Sequence, residues 1–262
     1  MNQMKKKIHW SIIGKGEINI VFFHGWGIHS IAWSKIIPIL KLSFTLHVID
    51  LPGFGKSVNC SVMNFKEISN YLLKKIKNKV IWLGWSMGGL IAHYMSLNYP
   101  NYTIAMVHVT SSPYFIKQKE WLGVSKNTLK TIKKNIFTNY NKFLKQFIIL
   151  HVFDKKIKNL SINNLFLKKY PNPKKKAIEI GYQWLTEIDQ RNEVLSNSIP
   201  ILKIYGELDK IVPREICYKI NYIHKNSNSV IIKGAKHAPF LSHPNIFCNI
   251  LKKFIKNKKI DN

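Results

Sequence analysis

Three near-continuous apolar runs mark the first half of the chain: INIVFFHG (18–25), FTLHVIDLPG (44–53) and KVIWLGWS (79–86). A strand with no polar alternation is buried on both faces, which is the condition of a parallel sheet covered by helices. Helical patterns separate the runs. They cover Ile31 to Leu42, and Phe65 to Lys77, where Ile68, Leu72, Leu73 and Ile76 fall at helical spacing. After Ser86, MGGLIAHYMSLNYP reads as a helix stopped before Pro100, and YTIAMVHVTSSP as the next strand. From about Pro113 to Glu193 strand-like runs vanish and the stretch reads as helical, with NYNKFLKQFIILHVF its most apolar part. Strands return with IPILKIYGELD (199–209) and SVIIKGAKH (229–237), and helices are expected at Pro213–Ile220 and Pro244–Lys256. The alternation predicts an α/β domain formed by residues 1–112 and 194–262, interrupted by a helical insertion at 113–193. In an open sheet of this kind, function gathers at the carboxyl ends of the strands.

Composition narrows the classes. No run of about 18 apolar residues occurs, which argues against a membrane-spanning helix. The basic N-terminal stretch has no uninterrupted apolar region and no small-residue cleavage site, and reads as a mature cytoplasmic start. Cys60, Cys217 and Cys248 are scattered, with no CxxC or His/Cys spacing, so a reducing compartment fits and a metal site is not expected. The formal net charge of +28 could point to nucleic acid, a membrane or an acidic protein. Of 41 basic residues, however, only Arg191 and Arg214 are arginine, which leaves 39 lysines. Lys, Asn and Ile share AT-rich codons, so the excess fits nucleotide bias, and the lack of arginine argues against nucleic-acid readout.

Gly84-Trp85-Ser86-Met87-Gly88 fits G-x-S-x-G at a strand-to-helix switch, the nucleophile elbow. Small residues two before and two after the serine let strand and helix approach, leaving the hydroxyl clear of the sheet. Alone, the pattern could equally be a glycine-rich turn packing a helix on a sheet. A serine hydroxyl needs a base, and the base an orienting acid. In this arrangement the chain order is Ser, acid, His. Asp209 ends one late strand, with Glu207 as its rival; His237 follows the last, with His243 before Pro244 more plausibly a helix cap. Two backbone N–H groups must hold the oxyanion. Met87, after the nucleophile, supplies one, and Trp26 in His24-Gly25-Trp26-Gly27 the other, with the Trp26 side chain walling the pocket. His24 reads as a loop-holding residue and Asp50 as a turn-stabilising carboxylate, since it precedes the serine.

FFHGWGIHSIAW, FTLHVIDLPGFGKS, IWLGWSMGGLIA, SSPYF, EWLGV, YGELDKIVPR and KHAPFLSHPNIFC together resemble the α/β-hydrolase superfamily and, within it, the BioH-type carboxylesterases of biotin synthesis. The resemblance spans nearly the whole chain and is weakest in the insertion. It implies the α/β-hydrolase fold, a mostly parallel central sheet flanked by helices with a helical lid at 113–193. It implies a Ser86–Asp209–His237 esterase that hydrolyses the methyl ester of pimeloyl-[acyl-carrier protein], with no cofactor and no metal. It places the acyl-contacting segment at Phe147, Ile148, Ile149, Leu150 and His151, beside Trp26, Ser86, Met87 and His237. It also implies that an acidic acyl carrier protein docks on basic lid residues, here Lys142, Lys145, Lys155, Lys156 and Lys158. The expected protein is a cytoplasmic monomer that binds neither nucleic acid nor membrane.

A generic short-chain carboxylesterase or thioesterase would carry the same triad, and a decayed hydrolase serving as a basic binding module is a second alternative. Whatever the substrate, 41 cationic and 13 acidic side chains on one chain repel one another. Melting is therefore expected to rise by roughly 3 °C or more between low and physiological salt, read by differential scanning calorimetry.

Overall fold

The computed structural model describes residues 7–152, 170–193, 199–223 and 227–258. Seven strands form one sheet: β1 (Trp10–Ile13), β2 (Asn19–Phe23), β3 (Thr45–Ile49), β4 (Val80–Trp85), β5 (Thr103–Val109), β6 (Ile201–Gly206) and β7 (Ser227–Ile232). Their order is β1-β3-β2-β4-β5-β6-β7. Strands β2 to β7 pair in parallel, and every residue of β4 and β6 is buried. Continuous apolar runs thus mark the strands that helices cover on both sides.

β1 carries no such mark and was not expected. It runs antiparallel to β3 at the sheet edge, and its Ile12 is 63% exposed. A four-residue edge strand has one neighbour, and its pattern needs no continuous burial.

Helices flank the sheet: α1 (Ile37–Leu40), α2 (Phe65–Leu73) and α3 (Met87–Asn98) in the first half. The expected helix from Ile31 to Leu42 is instead a 3-10 helix, Ser30–Lys35, followed by the single turn of α1. Pro38, in the first turn of α1, cannot donate to the preceding turn and divides the two. α2 starts at a reciprocal capping box between Asn64 and Glu67 and stops at Leu73, short of Lys77.

Between β5 and β6 lie α4 (Lys126–Thr138), α5 (Tyr140–His151) and α6 (Lys175–Glu187). The stretch from Pro113 is not helical at its start, which corrects the expectation. Residues 116–124 form bridges, Ile116 with Val124 and Gln118 with Trp121. The Trp121 indole N–H donates to the Tyr114 carbonyl, and the Arg191 guanidinium lies over both aromatic rings. Aromatic packing fixes this extended loop without local periodicity. After β6 and β7 come α7 (Ile216–Ile223), α8 (Pro239–Ser242) and α9 (Pro244–Asn257). Among the described residues no helix is long and apolar enough to cross a membrane.

One core position breaks the apolar rule. Lys203 of β6 is fully buried, and its Nζ has no hydrogen-bond partner among the described residues. Burial pushes the amine down to about 7, slightly offset by the Cys217 thiol of α7. Between that value and its ordinary 10.5 the unfolded chain holds a proton that the folded chain lacks. Stability contributed at this site therefore rises with pH across that window. Lys203→Met removes the amine at similar volume. The variant is expected to melt roughly 5 °C above the parent at pH 7, with the gap closing toward pH 10, in paired thermal scans.

Candidate active site

Ser86 sits in the turn from β4 into α3 with φ 52° and ψ −121°, a left-handed backbone that a serine adopts only under surrounding constraint. That constraint is visible on both sides. A Cβ at Gly84 would lie 2.2 Å from the Gly88 carbonyl oxygen, and one at Gly88 would lie 2.3 Å from that of Phe23. Only glycine at both positions lets the helix start so close to the sheet. The Ser86 amide donates to Val109 O at 3.0 Å, and the Ser111 hydroxyl donates to the Ser86 carbonyl at 2.8 Å.

The loops after β6 and β7 bring Asp209 and His237 to this serine. His237 Nδ1–H donates to Asp209 Oδ2 at 2.8 Å, and its Nε2 lies 3.0 Å from Ser86 Oγ, placed to accept the hydroxyl proton. Both side chains are buried. Asp209 Oδ1 accepts from the Ile211 and Val212 amides at 2.8 and 3.1 Å, which fixes the carboxylate's orientation toward His237. Glu207 and His243 make other contacts. Glu207 pairs with Arg214 at 3.3 Å and accepts from the Gly234 amide. His243 is the N-cap position of α9 and bonds the Ser242 hydroxyl. The backbone of His237 is held as firmly as its ring. Its carbonyl accepts from the Trp85 indole at 2.8 Å and the Thr110 hydroxyl at 2.7 Å, and its amide donates to His151 O at 2.8 Å.

The His24–Gly27 loop is fixed from below. Leu51 N–H donates to His24 Nε2 at 2.9 Å, which leaves the proton on Nδ1, where it donates to Gly25 O at 2.9 Å. The Gly25 carbonyl and the Trp26 N–H belong to one planar peptide, so holding the first aims the second. Desolvation lowers the pKa of His24 and keeps the ring neutral, as this pair of bonds needs. Asp50 accepts from the Ser30 and Lys56 amides, both at 2.8 Å, and ties the far end of the loop to the chain beyond β3. Burial pushes its carboxyl up, but the hydrogen bonds from Ser30 and Lys56 outweigh that and hold it below the ordinary carboxylate range. Among the described residues the Trp26 and Met87 amides donate to no protein acceptor, which leaves both for a ligand oxygen.

A family model described as "alpha/beta hydrolase fold" matches residues 18–244. A pimeloyl-[acyl-carrier protein] methyl ester esterase of Wigglesworthia glossinidia brevipalpis is 40% identical, over 96% of this chain and 98% of its own. A protein of the same name from Yersinia enterocolitica is 32% identical over 95% and 97%. The chain belongs to this esterase family of α/β-hydrolases. Among solved structures, an esterase from Exiguobacterium antarcticum aligns with a TM-score of 0.84 at 19% identity, over 95% of both chains. A bromoperoxidase from Bacillus anthracis aligns at 0.83 and 23%, also over 95% of both. At such identities these two speak for the fold alone.

A narrow cavity opens at Ser86 and His237 in this hydrolase. Its other walls are apolar: Trp26, Trp85, Phe115, Val124, Leu129, Ile132, Phe143, Phe147, Leu185 and Ile211, with Gly25. The Trp26 ring stands as a wall, as expected, with its indole N–H donating to Ile178 O of α6 at 3.0 Å. A Cβ at Gly181 would lie 2.4 Å from the Trp26 ring, so glycine there lets α6 cross the loop. Of the expected acyl-contacting run, Phe147 alone lines the cavity. Ile148 is buried in the core and Ile149 only half-buried, while Leu150 is 61% exposed. His151 packs its ring on Phe147. A helix turns about 100° per residue, so five consecutive positions cannot face one cavity. Phe143, one turn before Phe147, is the missed partner, and the i, i+4 spacing in FLKQF could have revealed it. Burial first, then the nearby His237, pushes the His151 imidazole down to about 4. Lys142 and Lys145 are exposed on α5; Lys155, Lys156 and Lys158 lie outside the described residues. Phe147→Ala is expected to raise KM for medium-chain esters about tenfold, against little change for Leu150→Ala, in steady-state assays across acyl lengths.

Proposed function

We propose that this hydrolase is a serine carboxylesterase that converts the methyl ester of pimeloyl-[acyl-carrier protein] to pimeloyl-[acyl-carrier protein] and methanol, in biotin biosynthesis. The observation that carries the reading is the hydrogen-bonded line Ser86–His237–Asp209 at the mouth of an apolar cavity. The reading draws its substrate from the relatives of that name.

In this mechanism Ser86 Oγ attacks the ester carbonyl carbon as His237 Nε2 takes its proton. The carbonyl oxygen becomes an oxyanion, held by the Trp26 and Met87 amides. Collapse breaks the bond to methoxide, which takes the proton from His237 and leaves as methanol. Water then attacks the acyl-serine while His237 accepts its proton. The acid is released and the proton returns to Ser86 Oγ. Asp209 keeps the imidazole in the productive tautomer and offsets its charge when protonated. The apolar walls suit a methylene chain, and Phe147 and Phe143 contact it.

The same reading makes residues 113–193 the lid of a cytoplasmic monomer without nucleic-acid partners. The acidic carrier docks on the lid lysines, Lys142 and Lys145 among them. Lysine is a point charge and does not clamp a carboxylate bidentately, so this docking is salt-sensitive.

The test is hydrolysis of the carrier-bound methyl ester, followed by mass spectrometry, for the parent and Ser86→Ala. The parent converts it, and the variant loses about a thousandfold or more. Raising salt raises KM for the carrier-bound ester and leaves p-nitrophenyl butyrate unaffected. Cleavage of the aryl ester alone would reduce the assignment to a generic esterase.

A further inference from the structure

The lid helix α5 touches the catalytic apparatus at both of its ends. At its first residue, the Tyr140 hydroxyl donates to the Gly27 carbonyl at 2.8 Å, inside the loop that presents the Trp26 amide. At its last, the His151 carbonyl accepts the His237 amide at 2.8 Å, inside the loop that presents the base. The two loops come from opposite ends of the sequence, after β2 and after β7. No strand pairing joins β2 to β7, which stand four places apart in the sheet order.

These contacts are not incidental surface bonds. Tyr140 is buried, and the one hydrogen bond of its hydroxyl among the described residues goes to Gly27. Gly27 has φ +71°, a conformation that leaves the loop's shape dependent on its tethers. His151 lies in the last turn of α5, where carbonyls have no partner within the helix and take one from outside. The Asn139 side chain caps the other end, accepting from the Lys142 amide, so the length of α5 is defined at its start. Twelve helical residues span about 18 Å, and a helix is stiff along its axis. Between the two tethers, Phe143 and Phe147 project into the cavity, and Phe147 meets the His237 ring edge-on, centroids 6.2 Å apart.

We propose that α5 is a strut that sets the spacing between the oxyanion loop and the general-base loop, and that Tyr140 is a positioning residue for the oxyanion hole. The inference rests on the esterase reading above and adds that the lid takes part in assembling the chemistry it covers. Tyr140 touches neither ester nor nucleophile; it acts through the Gly27 carbonyl on the loop carrying the Trp26 amide.

The test is Tyr140→Phe, which keeps the ring and deletes the hydroxyl. Substrate is p-nitrophenyl butyrate. The probe for the hole is n-butylboronic acid, which forms a tetrahedral anion on a nucleophilic serine and so presents an oxygen where the oxyanion would sit. A loosened hole is expected to lower kcat about tenfold with KM within twofold, and to raise the boronate inhibition constant by the same factor. Melting stays within a few degrees of the parent. A merely structural tyrosine would shift melting without that matched change in kcat and boronate affinity, and such a result overturns the proposal. So does a rise in KM alone, which would make Tyr140 part of the acyl pocket. A parent that neither cleaves the ester nor binds the boronate overturns the esterase reading and the strut together; an active parent with an unchanged variant overturns the strut alone.

Discussion

The close approach of α3 to the sheet at Ser86 is the constraint on which the rest depends. Gly84 packs against the Gly88 backbone and Gly88 against that of Phe23, neither with room for a Cβ, and the serine between them is driven to a positive φ. That conformation is unfavourable for the residue alone and persists because the packing around it leaves no alternative. β4 lies mid-sheet, so the elbow emerges where loops from both flanks can reach it. The β2 loop comes from one side with the Trp26 amide. The β6 and β7 loops come from the other with Asp209 and His237.

Each of those loops is then anchored through backbone groups. The His237 carbonyl accepts two donors from core residues, Trp85 and Thr110. His24 and Asp50, both fully buried, perform the same task for the opposite loop. Buried polar groups are costly unless partnered, and here the partners include backbone carbonyls of the loops that carry Trp26 and His237. Lys203 is the contrast: a buried amine without a hydrogen-bond partner among the described residues.

Much of this was legible in the sequence because it is local. Parallel strands advertise themselves by continuous apolar runs, and the elbow by glycines at fixed offsets from a serine. Asp209 and His237 are placed by the order of strand ends. What the sequence concealed depends on distant packing. β1 is a strand because β3 offers it an edge. Residues 116–124 are extended because Trp121, Tyr114 and Arg191 stack. Acyl contacts are expected along a run of five, 147–151, whereas a helix shows a cavity only every third or fourth residue. Phe115, Val124, Leu129, Ile132 and Leu185 line the cavity from three separate segments, and no spacing in the chain announces them.

Ser86 and His237 are separated by 151 residues, and of the strands between them, β5, β6 and β7, the first two have the whole helical segment between them in the chain. Such a site cannot form piecemeal. A nascent chain carries Ser86 long before His237 is synthesised. Contacts of this sequence separation form late because the loop they close is long. The Ser86–His237 contact thus waits on the docking of β6 and β7, the last strands of the sheet to leave the ribosome.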